Sequence, residues 1–568
     1  MNESTSIRWQ EWTPKAFAQS KSSGKPILLD LTAVWCHWCH RMDQDNYERL
    51  DIIRLVNEHF IPVRVDVDKH PEIANRYHFG GFPTTAFLDS NGNIVTGATY
   101  VPPGQFEALL HHVKSIYRPP PAKTDSKEEQ LGFQAPPEEL SMEGTGHALN
   151  ALKSQFDHAH GGFGFAPKFP LPDAMDLLLL EYVRTKDPVL LGMAVQTLNA
   201  MRTLQDPVEK GFYRYATQAD WTEPHYEKMT ETHAGLILAY THAFALTQNP
   251  AFRQTVQDTL MYVQAHLQSP DGWFYASQDA DEEYYSLNEL QRTQRKAPHV
   301  DPTFFTHLNG MMTCAFLEAG TYLGEKKWIE SGLRALEYTL THAWKKRQGL
   351  AHFLENNTRA KPALLADYAW ALRAVLSACE YARKTEYVKH AIQLFKECTH
   401  LLYDPHKKVF YDVAPSKNAL GLVARRETPL NENSLMALNA LKLHAFTGEE
   451  KYATLAQHVL KATAFQAQDA GYLGALHATA CKGVLNPMGV CIIGHPNQEF
   501  NDLWHTAITP WDPRKTIVAL DAQAQKGIIQ RKGFIATQLP AGFVCLGTRC
   551  LPPAFTSLEL EKRMQERA

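Results

Sequence analysis

The stretch Ile27-Leu-Leu-Asp30-Leu-Thr-Ala-Val-Trp35-Cys36-His37-Trp38-Cys39 decides the reading of the first part of this chain. Its first seven residues are a short apolar run of the kind that makes a buried strand. From His37 to Asn57 the spacing becomes helical, so both cysteines stand where a strand hands over to a helix. At a helix N-terminus, the partial positive charge and the free N–H groups stabilise a thiolate. Lowering a thiol from a pKa of about 8.5 toward about 7 multiplies the thiolate present at neutral pH. Cys36, the first and more exposed sulfur, is read as the nucleophile. Cys39, one turn further in, is read as the thiol that resolves the mixed disulfide.

Outward from this stretch, residues 61–67 (IPVRVDV) are a second strand. After Gly80-Gly81-Phe82-Pro83 come TTAFLD, the Asn91-Gly92 turn and NIVTGAT, which read as a hairpin, and Pro103 to Tyr117 closes as an amphipathic helix. This is an α/β order. Strand, acid, Trp35, C-x-x-C and Gly-Phe-Pro-Thr together resemble thioredoxin. The resemblance implies that Asp30 is the buried proton acceptor serving Cys36 and Cys39. It also implies that Pro83 is a cis-proline beside the cysteines, and that Trp35, His37, Trp38 and Pro83 receive substrate. His37, between the sulfurs, is expected to stabilise the Cys36 thiolate and raise the potential above the ~ −270 mV of ordinary thioredoxin.

Three other readings of the pair stand beside this one. Cys36-His-Trp-Cys-His40 matches the c-type haem signature, which needs an exported chain. A zinc site from Cys36, Cys39 and His40 lacks an evident fourth ligand. A redox-silent pair would leave the domain a binding module. The reading adopted calls for no metal and no cofactor.

The chain has 568 residues, too many for one ordinary core. Its net charge of −4 gives no electrostatic case for nucleic acid or an acidic membrane. No apolar run approaches the ~20 residues of a membrane span, and the N-terminus has no apolar signal region, so cytoplasmic residence is expected. Nine cysteines are sparse and odd in number, and only 36–39 and 545–550 lie close in sequence. Such pairs point to redox chemistry or metal rather than a disulfide framework.

The expected domains are 1–117, a linker over 118–141, a helical region over 142–487 and an α/β appendage over 488–568. The linker is proline-rich and charged, hence an extended connector. Twelve helices are expected: 142–157, 174–184, 190–204, 231–247, 251–267, 308–323, 326–344, 364–384, 386–402, 432–447, 449–466 and 473–483. Small aromatic turns recur at 161–165, 211–215, 272–276, 349–353, 408–412 and 471–475. Twelve helices punctuated six times fit six helical hairpins, and closing them into a ring gives an (α/α)6 barrel. In the appendage, 489–494, 516–520 and 542–547 read as short buried strands.

With the barrel included, the chain resembles the thioredoxin-domain family that contains the spermatogenesis-associated thioredoxin proteins. Cys36 to His40, Gly161 to Pro170, Phe212 to Tyr215, Trp221 to Met229, Gly272 to Asp281, Asp367-Tyr-Ala and Val544 to Pro553 carry the likeness. The family's Trp-Asn-Gly appears here as Leu308-Asn309-Gly310, and its Pro-Ser-Gly-Asn-Ser as Leu430-Asn-Glu-Asn-Ser434. The resemblance implies a thioredoxin-like domain joined to a six-hairpin, glycosidase- or epimerase-like barrel.

Barrel candidates are Trp221, His225, Glu227, Asp279, Asp281, Asn309 and Asp367, with Trp273 and Tyr285 as further stacking surfaces. Two carboxylates suit glycoside hydrolysis, and a base such as His225 suits epimerisation. A purely structural use of these residues as core plugs and caps is the plain alternative. The expectation is a thiol–disulfide oxidoreductase or redox-linked protein, with a thiol or disulfide protein as partner and a carbohydrate-like ligand for the barrel. The alternatives are a carbohydrate-active barrel regulated by the thioredoxin-like domain, and a non-catalytic scaffold. If the appendage folds back toward Cys36, Cys545 and Cys550 would exchange with it.

Overall fold

Strand alternation and helical period set three separate packing problems in this chain. The computed structural model describes residues 5–120, 139–142, 145–547 and 549–566. Of the expected linker, residues 121–138 lie outside the described residues.

The N-terminal unit runs α1 (Pro14–Ser23), β1 (Ile27–Thr32), α2 (His37–Met42), α3 (Leu50–His59), β2 (Ile61–Asp66), α4 (Pro71–Tyr77), β3 (Thr84–Leu88), β4 (Ile94–Ala98) and α5 (Pro103–Ile116). Its sheet has the order β2-β1-β3-β4, with β1 parallel to β2 and antiparallel to β3. A strand covered on both faces needs apolar residues throughout, which explains the run around Leu28 to Leu31. Leu29, Leu31 and Val63 pack on one face, and Leu28, Phe87 and Phe106 on the other. The Phe82–Pro83 peptide is cis. This is a thioredoxin-like fold.

Among the described residues up to 487, twelve helices of ten or more residues follow: α6 (Gly146–Gln155), α7 (Pro172–Thr185), α8 (Pro188–Met201), α9 (Thr230–Thr247), α10 (Pro250–Tyr262), α11 (Thr306–Leu323), α12 (Lys326–Tyr338), α13 (Leu365–Tyr381), α14 (Val388–Leu402), α15 (Leu430–Thr447), α16 (Glu450–Ala462) and α17 (Ala475–Leu485). Helices α7, α9, α11, α13, α15 and α17 form the inner ring, each packed on the next, and α17 returns to α7. The inner helices are apolar nearly all round, whereas outer ones such as α12 and α14 bury one stripe. The (α/α)6 barrel expected from the six-fold punctuation is therefore closed.

The recurring aromatic turns have a shared job. Phe212, Phe274 and Phe410 are fully buried, each in a small antiparallel bridge after an outer helix. The fourth residue of the next inner helix accepts the backbone N–H of that aromatic: His233 at 2.8 Å, Asn309 at 2.7 Å and Asn433 at 2.8 Å. Asn309 is thus a buried strut between hairpins and not a mouth residue, which corrects its assignment as a barrel candidate.

The C-terminal unit runs β5 (Met488–Gly494), α18 (Gln498–Ile508), β6 (Lys515–Asp521), α19 (Lys526–Lys532), β7 (Ala541–Leu546), β8 (Arg549–Cys550) and α20 (Ser557–Gln565). Its sheet order is β6-β5-β7-β8, with β5 parallel to β6 and antiparallel to β7. Strand for strand, with α18 alone standing where α2 and α3 stand, this repeats the N-terminal unit from β1 to α5. The appendage is a second thioredoxin-like fold.

The two units sit at opposite ends of the barrel. Loops leading into the N-terminal ends of the inner helices hold the first: Lys361 pairs with Glu72 at 2.6 Å, Lys69 with Glu355 at 2.9 Å and Arg76 with Asp412 at 2.8 Å. The C-terminal halves hold the second: Glu380 accepts the Ile517 N–H at 2.8 Å, and His242 stacks on Trp511 at 4.7 Å. Inner helices of 17 or 18 residues put about 26 Å between those ends. Exchange between Cys36 and Cys545 or Cys550 within one chain is therefore ruled out by placement. Among the described residues no helix is long and apolar enough to cross a membrane.

Candidate functional site

Cys36 is the N-cap of α2, and its sulfur accepts the Cys39 backbone N–H at 3.2 Å. The two cysteines are disulfide-bonded, with Cα atoms 5.2 Å apart. The expected difference in exposure is almost absent, because Cys36 is 3% exposed and Cys39 2%. The barrel mouth faces Cys36 across an open cavity of about 680 Å³. Trp35, Cys36, Trp38 and the Gly80–Phe82 loop line one wall, and Phe169, Arg214, Tyr215, His225 and Glu227 line the other.

Each wall is rigid for a local reason. Trp35 donates its indole N–H to Asp68 at 2.7 Å, and Phe82 meets its ring edge-on at 6.3 Å. Pro83 is buried behind the loop it anchors. Trp38 is 43% exposed and leans on Tyr100 at 4.9 Å, so it forms the open lip. His37 is half-buried and meets Trp38 edge-on. On the barrel side, Phe169, Tyr215 and His225 form a continuous stack with successive centroids 4.3 Å apart.

The charges in this cavity are incompletely paired. The Arg214 guanidinium lies 4.3 Å over the Trp35 ring and pairs with no carboxylate among the described residues. Glu227 is 3% exposed, its Oε2 has no hydrogen-bond partner, and His225 Nδ1 stands 3.7 Å away. Asp279 lies beside them, 3.7 Å from His40. Burial pushes the Asp279 carboxyl up, and Glu227 adds to that against the pull of His40.

Asp30 lies on β1, the strand that leads to the cysteines, at 2% exposure. It is locked to Arg64 at 2.6 Å, and Arg64 also pairs with Asp43. Burial raises the Asp30 carboxyl to about 6 in spite of that pairing. Asp68 is a second acid of this kind, since burial together with Asp66 pushes it up to about 7.

Of the barrel candidates, His225, Glu227 and Asp279 are brought together and three others besides Asn309 are not. Trp221 is 1% exposed and donates to the carbonyls of His160 and Gly161, so it plugs a turn. Asp281 caps the short helix Glu282–Tyr285 by accepting the Tyr284 N–H. Asp367 is fully buried at the start of α13, where it accepts the Leu364 N–H at 2.8 Å and faces His352 at 2.9 Å. His352 and His307 hold its carboxyl far below the usual range against the cost of burial. Trp273 and Tyr285 are packed among other aromatics rather than presented to a ligand.

His307, His352 and Asp367 also place one ligand atom each within 4.8 Å of one another. Those atoms are already used in hydrogen bonds, and the other ring nitrogen of His352 meets the Asp68 carbonyl oxygen at 2.9 Å. The cluster therefore reads as a tie between barrel and thioredoxin-like domain.

Arg214, Tyr215 and Phe169 were not singled out from the sequence. They lie in Phe212 to Tyr215 and Gly161 to Pro170, stretches read as repeat punctuation and family likeness. An arginine inside an aromatic turn that otherwise only fills core was the available signal.

Residues 1–134 match a family model named Thioredox_DsbH, described as a protein of unknown function, DUF255. The chain is similar to spermatogenesis-associated protein 20 of Homo sapiens, 23% identical over 588 residues, covering 78% of this chain and 74% of that one. Its first part is similar to the disulfide bond reductase DsbH of Chlamydia pneumoniae, 27% identical over 124 residues, 20% of this chain and 74% of that protein. A solved sugar epimerase from a ruminal bacterium overlaps 57% of this chain and 85% of its own, with TM-score 0.47 and 13% identity. The resemblance drawn from the motifs thus holds: a DsbH-like thioredoxin domain at the N-terminus, and likeness to the spermatogenesis-associated protein over most of the chain.

Proposed function

We propose that this chain is a thiol–disulfide oxidoreductase whose Cys36/Cys39 pair works on a substrate lodged between the thioredoxin-like domain and the barrel mouth. The observation that carries this reading is that Cys36, Arg214, His225 and Glu227 line one cavity of about 680 Å³. That volume is in the range of small-molecule sites. With Cys36 at 3% exposure, a folded protein's disulfide does not reach it, whereas a small or extended one does.

The unpaired cation and the unpartnered carboxylate oxygen support a ligand that brings both an anionic group and a hydrogen-bond donor. A small amino-acid disulfide has both. In the reduced enzyme the Cys36 thiolate attacks one substrate sulfur, forming a mixed disulfide and releasing the other half as a thiolate. Cys39 then attacks the Cys36 sulfur, releasing the second thiolate and restoring the Cys36–Cys39 disulfide. An external dithiol returns two electrons.

A carbohydrate-like ligand of the barrel is the second reading. It rests on His225 and Glu227 at the barrel mouth, whose Nδ1 and Oε2 stand 3.7 Å apart, a base and a carboxyl group suited to proton transfer.

The test is turnover by the reduced full-length protein of cystine, of insulin and of neutral disaccharides, each with Cys36→Ser as control. Cystine reduction that is lost in Cys36→Ser supports the proposal. Sugar turnover that survives Cys36→Ser moves the chemistry into the barrel. No exchange with either disulfide rejects the oxidoreductase reading.

A further inference from the structure

The C-terminal thioredoxin-like unit has no cysteine where its N-terminal counterpart carries Cys36. The N-cap of its first helix is Asn497, whose side chain accepts the Phe500 N–H at 2.8 Å. Its cysteine pair lies elsewhere. Cys545 on β7 and Cys550 on β8 stand directly opposite each other in the antiparallel register and are disulfide-bonded. Cys550 is exposed at the sheet edge, Cys545 is half-buried, and the exposed Arg549 is the neighbour of Cys550.

A structural staple is a poor account of this bond. The loop it closes is only a few residues long, and short loops remove little entropy from the unfolded chain. The hairpin is also held without it, since Leu551 donates to the Val544 carbonyl and Gly542 and Ala554 exchange backbone hydrogen bonds. The other five cysteines, Cys314, Cys379, Cys398, Cys481 and Cys491, are buried as free thiols. Burial pushes Cys491, on the neighbouring strand β5, up to about 12, so it is a poor competitor for exchange.

We propose that Cys545–Cys550 is a second thiol–disulfide centre, taking electrons from a dithiol that approaches the exposed edge of the C-terminal sheet. The donor thiolate attacks Cys550 Sγ, forming a mixed disulfide and releasing Cys545 as a thiolate. The donor's second thiol then displaces Cys550, leaving a Cys545/Cys550 dithiol and an oxidised donor, with two electrons transferred. Protons come from solvent. The barrel keeps the chain's own Cys36 away from this site, so the dithiol is either a small molecule or the Cys36/Cys39 pair of a second copy.

The experiment uses oxidised full-length protein equilibrated with graded ratios of reduced to oxidised dithiothreitol, then quenched by differential alkylation and peptide mapping. Mapping reads 545/550 separately from 36/39 even if a cysteine variant fails to fold. The expected result is a two-electron transition at 545/550 while near-ultraviolet circular dichroism stays native. A Cys550→Ser variant then leaves Cys545 alkylated at every ratio. Adding reduced Cys545→Ser/Cys550→Ser protein to oxidised Cys36→Ser/Cys39→Ser protein separates the donors. Transfer there assigns the second copy, and reduction by dithiothreitol alone assigns a small dithiol. A 545/550 bond that is reduced only after denaturation, or a pair that never oxidises in the native protein, overturns the proposal.

Discussion

The guanidinium of Arg214, from the barrel, lies 4.3 Å over the indole of Trp35, the residue before the nucleophilic cysteine. Two units thus meet at one site, and the barrel's arginine brings a positive charge to the cavity wall beside Trp35.

Arg214→Gln removes that charge and the stack on Trp35. A partly desolvated cation–π contact is worth about 1–2 kcal/mol. KM for cystine should rise about 5- to 30-fold, while the Cys36/Cys39 potential stays within error of the parent. A shift in potential without a change in KM would contradict the role.

Glu227→Gln takes away a buried carboxylate whose Oε2 has no hydrogen-bond partner. Relief of unpaired charge should leave thermal stability unchanged or raise it by about 1 kcal/mol. Cystine turnover should fall at the same time. Lost stability with full turnover would show a structural role only.

Arg76 joins the thioredoxin-like domain to the barrel by pairing with Asp412 and donating to the Leu422 and Arg425 carbonyls. Breaking a buried pair from one side costs about 3–5 kcal/mol. Arg76→Ala should loosen the docking, speed alkylation of reduced Cys36 by bulky maleimides, and raise insulin reduction relative to cystine reduction. Equal alkylation rates in both proteins would show that the barrel does not control access.

Asp68 is raised from 3.8 to about 7, chiefly by burial and then by Asp66. The folded state therefore holds this proton more tightly than the unfolded chain does, and ionising the group costs stability. Relative to Asp68→Asn, the parent should lose stability as pH rises from about 4 to about 7 and lose no more above that. Urea unfolding at pH 4.5, 6 and 8 measures it. A difference independent of pH would refute the assignment.

His37 occupies the first helical position after Cys36. Stabilising the Cys36 thiolate favours the reduced pair, so the parent potential should lie above ~ −270 mV, and His37→Ala should lower it. Equilibration with glutathione buffers measures both.

Much of the fold was legible in residues taken in order. Ile27 to Thr32 is a short apolar run that hands over to helical spacing, and outer helices such as α12 and α14 showed their period directly. The barrel candidates were less legible. Asn309 and Asp367 have the residue types of a binding site, yet each satisfies backbone N–H groups inside the core. Composition cannot separate a polar group that meets a ligand from one that meets a neighbouring hairpin. The C-terminal unit was read only as strands with helical material between, because topology depends on which strands pair.

Strand and helix periods, the cysteines at a helix start and the sixfold punctuation follow from neighbours within a few residues, so the amino-acid order alone determined them. Tertiary structure decided that Arg214 and Glu227 face Cys36, that Cys545 lies a barrel's length away, and that the chain's two ends share one topology. Those relationships arise when the ring closes and loops distant in sequence reach the same rim, and local periodicity carries no record of that closure.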